Sequence, residues 1–318
     1  MKNLLEKLIA PVSPSGCEKN ISEAIAKLAA PYGEVSTDSM GNLAVYKKGT
    51  GKRIMLAAHM DTVGFIVTYI DEQGFVRFGT LGGVKPVNAV GQRVIFENGV
   101  IGVVCADRGT EPKDLTNDCL YIDTAGEAVR VGDVAVYYGT PYFTDSKVIS
   151  PYLDNRLGCA VCLKALELLK ETDNEIFCTF TVQEEVGCRG AKPLAYTVCP
   201  DMAIAVDICG VPDTPGSEAP NSVTITGGPV VKYMDHRTIS HKSVCELLET
   251  TAAEQNIPVQ RYVTKSGGTD AGSIFASRGG VPTGNLAIPI RYTHCPNEIA
   301  DMDVALQCAK LLAAVIAK

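Results

Sequence analysis

The first sixty residues alternate between helically spaced apolar positions and continuous apolar runs. Apolar residues recur every three or four positions in 4–9 and again in 21–28, which predicts two helices. Residues 11–16 lie between them and contain two prolines and a glycine, which break helices. The apolar runs 43–46 and 54–58 are typical of strands. Because the second run has no polar residue, it suits a strand that is covered on both faces.

Residues 65–148 have a different pattern. Short β-rich runs at 65–70, 75–78, 93–96, 100–105 and 134–138 alternate with turns that contain glycine, and no amphipathic helix is evident. This pattern is typical of a small all-β sandwich or barrel. We therefore predict an inserted, barrel-like β domain over 65–148.

Strands and helices alternate again after residue 150. Apolar strands are predicted at 176–182, 202–206 and 281–288, and helices at 157–168, 240–255 and 301–317. Such alternation is typical of a largely parallel sheet with helices on both faces. The predicted fold class is therefore α/β, with a mixed, largely parallel sheet. Residues 1–64 and 149–318 would form one domain around the inserted one.

Composition narrows the class of protein. The 318 residues carry 29 Lys+Arg and 36 Asp+Glu, a formal charge of −7, whereas nucleic-acid binding needs a clustered basic surface. No apolar stretch approaches the ~20 residues of a membrane span, and the first residues do not form a signal-peptide pattern. We therefore expect a cytoplasmic protein without nucleic-acid or membrane partners, in which the twelve cysteines are reduced.

Polar side chains follow the predicted strands or open the helix near residue 156. In open α/β sheets, ligands bind beyond the carboxyl ends of the strands, so we expect these side chains to converge on one edge. In chain order they are His59, Asp61, Asp154, Glu184, Glu185, Asp207 and His294.

Imidazole nitrogens and carboxylate oxygens suit a borderline metal such as zinc. Two histidines and three carboxylates are too many for one tetrahedral catalytic ion, but they suit two ions about 3.5–4 Å apart that share a carboxylate. A further carboxylate would then remain as a general base. Neighbouring strand residues point to opposite faces, so one of Glu184 and Glu185 can bind metal while the other faces the water. Asp61 could orient the His59 ring.

The ordered motifs resemble the M42 family of dinuclear metallo-aminopeptidases over essentially the whole chain. The matching segments are 57–65 (AAHMDTVGF), 81–84 (LGGV), 152–156 (YLDNR), 182–191 (VQEEVGCRGA), 206–207 (VD), 267–271 (GGTDA) and 291–296 (RYTHCP). The resemblance implies that His59 and Asp207 bind one metal, that Glu185 and His294 bind the other, and that Asp154 bridges them. It also implies Glu184 as the general base and Asp61 as the residue that orients His59. Thr62 departs from the family, where an acidic residue is usual.

The resemblance implies more about the whole molecule. The activity would be removal of N-terminal residues from short peptides, with two divalent ions, zinc or else cobalt or manganese. Residues 1–64 and 149–318 would be the catalytic domain, of the zinc-peptidase type. Residues 65–148 would support dimers that assemble into a hollow dodecamer. The early position of this insert favours M42 over related deacylases, whose extra domain follows the Glu-Glu segment.

Two other functions are compatible with parts of the sequence. Paired carboxylates also serve glycoside hydrolases, but the histidines would then have no role and the chain has no Trp for stacking on a sugar. A non-catalytic peptide-binding scaffold would be expected to lack a ligand or the base, and none is missing. Removal of metal with a chelator distinguishes a glycoside hydrolase from a metallopeptidase, because glycosidase activity should survive it.

The remaining conspicuous residues have simpler interpretations. His236 and His241 are predicted in a loop and at a helix start, away from the site. Cys159 and Cys162 lie on the apolar face of a helix, so we expect core thiols, and Cys188 is likewise read as a packing residue. The segment 267–271 either caps a helix or approaches the substrate pocket.

Overall fold

A computed structural model describes residues 1–217 and 222–318, and these form an α/β unit and a β-barrel. The helices are α1 (Lys2–Ile9), α2 (Lys19–Ala29), α3 (Pro86–Ala89), α4 (Leu153–Leu168), α5 (Ala191–Val198), α6 (Lys242–Glu254), α7 (Asp270–Phe275) and α8 (Met302–Ile316). The strands are β1 (Glu34–Thr37), β2 (Leu43–Lys47), β3 (Arg53–His59), β4 (Gly64–Ile70), β5 (Val76–Leu81), β6 (Arg93–Phe96), β7 (Ile101–Ala106), β8 (Leu120–Asp123), β9 (Val134–Tyr137), β10 (Tyr142–Phe143), β11 (Lys147–Ser150), β12 (Glu175–Thr181), β13 (Met202–Gly210), β14 (Val230–Met234), β15 (Gln260–Val263), β16 (Thr283–Arg291) and β17 (Glu298–Asp301).

The large sheet has the strand order β1-β2-β12-β3-β13-β16-β17-β11-β10, with β14 and β15 attached beside β16. Its centre, β12-β3-β13-β16, is parallel, and antiparallel strands flank it. The apolar run of β3 is buried throughout, because helices cover both faces. On one face, α1, α2, α4 and α8 contribute to the main core, and on the other α5 and α7 form a smaller cluster. The predicted fold class is confirmed.

The six strands β4 to β9 close into a barrel in the order β4-β5-β8-β7-β6-β9. Phe65 contacts Phe78 and Tyr137 inside it, with ring planes 84° and 87° apart, the edge-to-face geometry that aromatic pairs favour. The barrel begins at Gly64, and β10 and β11 already pair in the large sheet. The strands thus change sheet within a few residues of the predicted domain limits, while the domain division itself stays a prediction.

Several elements have no clear signal in the sequence. β1 is mostly exposed, β15 is only half-buried, and α5 contains Pro193, so none shows a long apolar pattern. Before the regular helical part of α4, Asp154 and Asn155 have non-helical backbone angles. In the part of the chain that the structure describes, no helix combines the length and the apolar character needed to cross a bilayer.

Candidate active site

The predicted side chains do converge on one edge of the large sheet. His59 is the last residue of β3, and Glu184 and Glu185 lie in the loop after β12. Asp154 is at the start of α4, and His294 lies between β16 and β17. Asp207 lies within β13, which continues three residues beyond it to Gly210, rather than after the strand as its sequence position suggested.

His59, Asp154 and Asp207 form what we call the inner group. The Nε2 atom of His59 is 3.2 Å from Asp154 Oδ1 and 3.5 Å from Asp207 Oδ1. All three residues are buried, and the His59 side chain is 2% exposed. One ligand atom from each lies within 4.8 Å of the others, a spacing that a single ion can bridge.

Asp154, Glu185 and His294 form the outer group. The Nε2 atom of His294 is 3.2 Å from Asp154 Oδ2 and 3.1 Å from Glu185 Oε2. The His294 side chain is 26% exposed, so this group is nearer the solvent than the inner one. The two carboxylate oxygens of Asp154 thus face different histidines, which is the arrangement that a shared carboxylate requires.

Asp61 connects the inner group to the Glu184–Glu185 loop. Its carboxylate lies 3.5 Å from Nδ1 of His59. The same nitrogen is 3.2 Å from the backbone carbonyl oxygen of Asp61. The Asp61 carboxylate accepts hydrogen bonds from the backbone N–H groups of Glu184 and Glu185, at 3.0 and 3.2 Å. Ser15 donates a further hydrogen bond of 2.6 Å. Asp61 therefore fixes one histidine and two carboxylate residues at once.

Glu298 is a site residue that the sequence did not reveal. It is 1% exposed, and its two oxygens accept hydrogen bonds from the backbone N–H groups of Asp154 (2.9 Å) and His294 (2.7 Å). It therefore ties the start of α4 to the loop that carries His294. Glu298 opens a short strand rather than following an apolar run, so its position carries no signal of this role.

The barrel also contributes to the outer group, through the turn after β5. The carbonyl oxygen of Gly83 lies 3.2 Å from Nδ1 of His294. A Cβ on Gly83 would lie 2.6 Å from the same nitrogen, and one on Gly82 would lie 3.0 Å from the Cβ of Glu185. Gly82 has a φ of +82°, which glycine adopts most readily. Both glycines of the LGGV segment are thus required by close packing against the outer group.

Burial and neighbouring charges shift the pKa values of these residues. Burial alone would raise the pKa of Asp154, but hydrogen bonds from His294 and His59 outweigh it and lower that pKa. Burial and the Asp154 carboxylate raise the pKa of Glu185 to about 7. Burial opposes the charged form of His294, yet Asp154 and Glu185 raise its pKa to about 12. The negative charge of the carboxylates therefore dominates the electrostatic potential of the site, which attracts cations.

The donor set fits divalent metal ions. It consists of imidazole nitrogens and carboxylate oxygens, which suit zinc, cobalt and manganese. The Oε1 atom of Glu185 is buried without a hydrogen-bond partner, as a free ligand atom would be. Asp61 and Gly83 contact the second ring nitrogens of the two histidines, as partners outside the ligand shell usually do.

Glu184 lies beside both groups and faces a cavity of about 600 Å³. Burial, together with the carboxylates of Asp207 and Asp270, raises the pKa of Glu184 well above its ordinary value, against the effect of His59. Asp270 is buried and accepts a hydrogen bond from Thr181. The cavity lining also includes Lys232, Arg237 and the segment 266–268.

The other sequence interpretations can be placed as well. His241 is the residue before α6, and its Nδ1 atom lies 2.8 Å from the hydroxyl of Ser243; neither it nor His236 lines the cavity. Cys159 and Cys162 are buried core thiols, as predicted. In the segment 267–271, Thr269 caps α7 through a hydrogen bond from Ala271, and the two glycines line the cavity.

Comparison with known proteins identifies the family. The model of the family described as "M42 glutamyl aminopeptidase" matches residues 41–311. The chain is 46% identical to the "Putative aminopeptidase" of Acetivibrio thermocellus, over 99% of this chain and 98% of the relative. It is similar to the solved aminopeptidase APDkam598 of the archaeon Desulfurococcus kamchatkensis, with a TM-score of 0.95, 33% identity, and 99% and 94% of the two chains covered.

A second solved structure is that of the Pyrococcus horikoshii TET1 peptidase, described as able to assemble into a tetrahedron or a large octahedral shell. The TM-score is 0.88 at 30% identity, with 99% of this chain and 98% of the other covered. M42 peptidases are metal-dependent, in agreement with the donor set described above. Fold, site and comparisons agree that the chain belongs to the M42 family and is an aminopeptidase, a hydrolase of peptide bonds.

Proposed function

We propose that this chain is a dinuclear enzyme, in which the inner and outer groups each hold one divalent ion and share Asp154. The observation that carries the proposal is the division of the Asp154 carboxylate, with Oδ1 3.2 Å from His59 and Oδ2 3.2 Å from His294. His59 and Asp207 would complete one site, and Glu185 and His294 the other. Zinc, cobalt and manganese all suit these donors.

Bound ions would supply Lewis-acid chemistry, which polarises a peptide carbonyl and makes a water nucleophile available near neutral pH. Glu184 acts as the general base: its carboxylate accepts a proton from the attacking water and then delivers it to the leaving amine. Asp61 holds the Glu184 backbone in place.

The variant Glu184→Gln tests the base directly. It keeps the size of the side chain but cannot accept the proton, so turnover of aminoacyl-p-nitroanilides should fall by ~10²–10⁴-fold. Metal content should stay near that of the wild type, because Glu184 belongs to neither ligand group. Glu167→Gln on the exposed face of α4 serves as the control. Retention of most activity by Glu184→Gln would refute the assignment of the base.

The cavity wall favours a substrate carboxylate. Lys232 is buried there, and its ammonium lies 3.9 Å from Asp235 Oδ2, too far for a hydrogen bond. Arg237 and Lys85 line the same cavity. A buried ammonium gains from a closely paired carboxylate, so peptides with an acidic first residue should be preferred.

A panel of glutamyl-, leucyl- and lysyl-p-nitroanilides tests this preference. We expect the glutamyl compound to have the highest kcat/KM, and Lys232→Met to reduce its advantage over the leucyl compound by about tenfold or more. Lys242→Met, which is exposed on α6, provides the control. Fastest cleavage of the lysyl compound, or an unchanged ratio in Lys232→Met, would contradict the assignment.

The chain also forms a homo-oligomer in this proposal, with residues 65–148 as the oligomerisation domain. The support is the TET1 peptidase of Pyrococcus horikoshii, which assembles into large shells and shares the fold over nearly the whole chain. Light scattering of the purified protein should give a mass several times that of the 318-residue chain. A monomer at micromolar concentration would refute this part.

A further inference from the structure

A third group of possible ligands lies beside the two histidine groups and contains no histidine. It consists of Glu184, Cys188 and Asp270, each of which places one ligand atom within 4.8 Å of the other two. The Sγ–H of Cys188 donates a hydrogen bond of 2.9 Å to Glu184 Oε1. The sequence suggested packing for Cys188, but the structure places its thiol against Glu184, the proposed base.

Asp270 supplies the independent indication of a ligand. It is 2% exposed, and Thr181 donates a hydrogen bond to its Oδ2. Its Oδ1 is buried without any hydrogen-bond partner. Among the residues that the structure describes, no Lys or Arg forms an ion pair with Asp270 or Glu184. A buried carboxylate that keeps an unpartnered oxygen, beside a thiol and a second carboxylate, is a place for a cation.

We propose that Glu184, Cys188 and Asp270 form a third, inhibitory cation site that takes a thiophilic divalent ion, namely zinc in excess or cadmium. The thiol of Cys188 would lose its proton to solvent when it coordinates the ion, and the two carboxylates would each contribute an oxygen. The ion reaches the site through the cavity, which Glu184 lines. An ion held there occupies the carboxylate that must accept the proton of the attacking water.

The donor chemistry separates this site from the other two. A thiolate with two carboxylates favours zinc and cadmium over manganese and magnesium, which prefer oxygen ligands. Excess zinc or cadmium should therefore inhibit the enzyme, whereas excess manganese should not. The inhibitory effect rests on the proposed role of Glu184 as the base, but the binding of the ion does not.

Binding is tested first, without reference to activity. Cadmium is added to the protein loaded with manganese, and the ultraviolet absorption of the thiolate–cadmium bond is recorded for the wild type and for Cys188→Ser. The serine keeps an O–H donor for Glu184 but provides no thiolate. Cys209→Ser is the matched control, because Cys209 is also buried and lines the cavity. We expect part of the absorption to be lost in Cys188→Ser and kept in Cys209→Ser. Equal absorption in all three proteins would overturn the site, whether or not Glu184 is the base.

Inhibition is tested second, on the manganese-loaded enzyme. The zinc concentration for half-inhibition should rise about tenfold or more in Cys188→Ser, relative to each protein's own activity without added zinc. Asp270→Asn keeps an oxygen for Thr181 but is a weaker metal ligand, so it should also raise the zinc concentration for half-inhibition. An unchanged zinc concentration in both variants would overturn the inhibitory role. If Glu184→Gln retained turnover while cadmium still bound through Cys188, the proposed base would be wrong and the cation site would stand.

Discussion

The inner and outer groups have the same kinds of ligand but are held by different parts of the fold. The inner group is built on regular structure: His59 ends β3, and Asp207 lies within the neighbouring strand β13. The outer group is built on loops, and His294 itself has a left-handed φ of 61°. The two histidine side chains are 2% and 26% exposed, respectively.

This difference shows that the two groups depend on different supports. The sheet sets the inner geometry, because the hydrogen bonds between parallel strands fix β3 against β13. The outer geometry requires Glu298 from β17 and Gly83 from the turn after β5 in the barrel. We therefore expect the outer group to bind its ion less tightly and to respond to changes in the barrel. Variants can affect both groups, one group, or neither.

Replacement of the shared carboxylate should have the largest effect. Asp154→Asn leaves one oxygen where both groups need one each, so both should lose affinity for metal. We expect kcat/KM for the preferred p-nitroanilide to fall by more than about 10²-fold. Loss of a residue that only contacts a metal ligand typically lowers activity by about 10–100-fold, and loss of a shared ligand should cost more. Metal analysis of the dialysed protein should show a loss from both groups. A variant that kept full metal content would show that Asp154 is not shared.

A substitution in the barrel turn should affect the outer group alone. In Gly83→Ala the new Cβ would lie 2.6 Å from Nδ1 of His294, so the ring must move. We expect the affinity for one of the two ions to fall about 10–100-fold, with the other unchanged, as measured by titration of metal into the metal-free protein. Gly79→Ala is the matched control, because its Cβ would meet only side chains of β4 at 3.6 Å. Equal behaviour of the two variants would show that the barrel does not support the site.

The smallest effect should come from Asp270, which belongs to neither histidine group. Burial and the nearby Asp207 and Asp61 carboxylates raise its pKa to about 7, against the hydrogen bond from Thr181. Between about pH 4, the ordinary Asp value, and about pH 7, the native state keeps a proton that the unfolded chain has released. The contribution of this residue to the free energy of unfolding therefore falls as pH rises through that window.

Asp270→Asn removes this titration. We compare the Tm of the metal-free variant with that of the metal-free wild type. The difference, variant minus wild type, should be larger at pH 8 than at pH 4 by about 2 °C or more. Thermal melts of both proteins between pH 4 and pH 8 measure the effect. A Tm difference independent of pH would contradict the burial of an ionisable Asp270.

The same contrast explains how far the sequence could predict the site. His59 follows an uninterrupted apolar run, so both its strand and its position at the sheet edge could be predicted. Asp207 was predicted at the correct edge, although its strand continues past it to Gly210. These predictions succeed because parallel strands in a buried sheet leave a continuous apolar pattern.

The supports of the outer group could not be predicted in this way. Glu298 acts on two backbone N–H groups that lie 144 and 4 residues away, and no local pattern records such contacts. Gly83 matters because of what its missing side chain would touch, 211 residues away at His294. Cys188 looks like a packing residue in the sequence, and only the fold places its thiol beside Glu184.

The central claim is that each histidine holds its own ion and that Asp154 joins the two sites. The most direct measurement is the metal content per chain of the wild type and of His294→Ala, after reloading with manganese, which the proposed site at Glu184, Cys188 and Asp270 does not favour, and removal of the excess. We predict roughly two ions per chain for the wild type and roughly one for the variant, whose inner group is intact. One ion in the wild type, or two in His294→Ala, would contradict the claim.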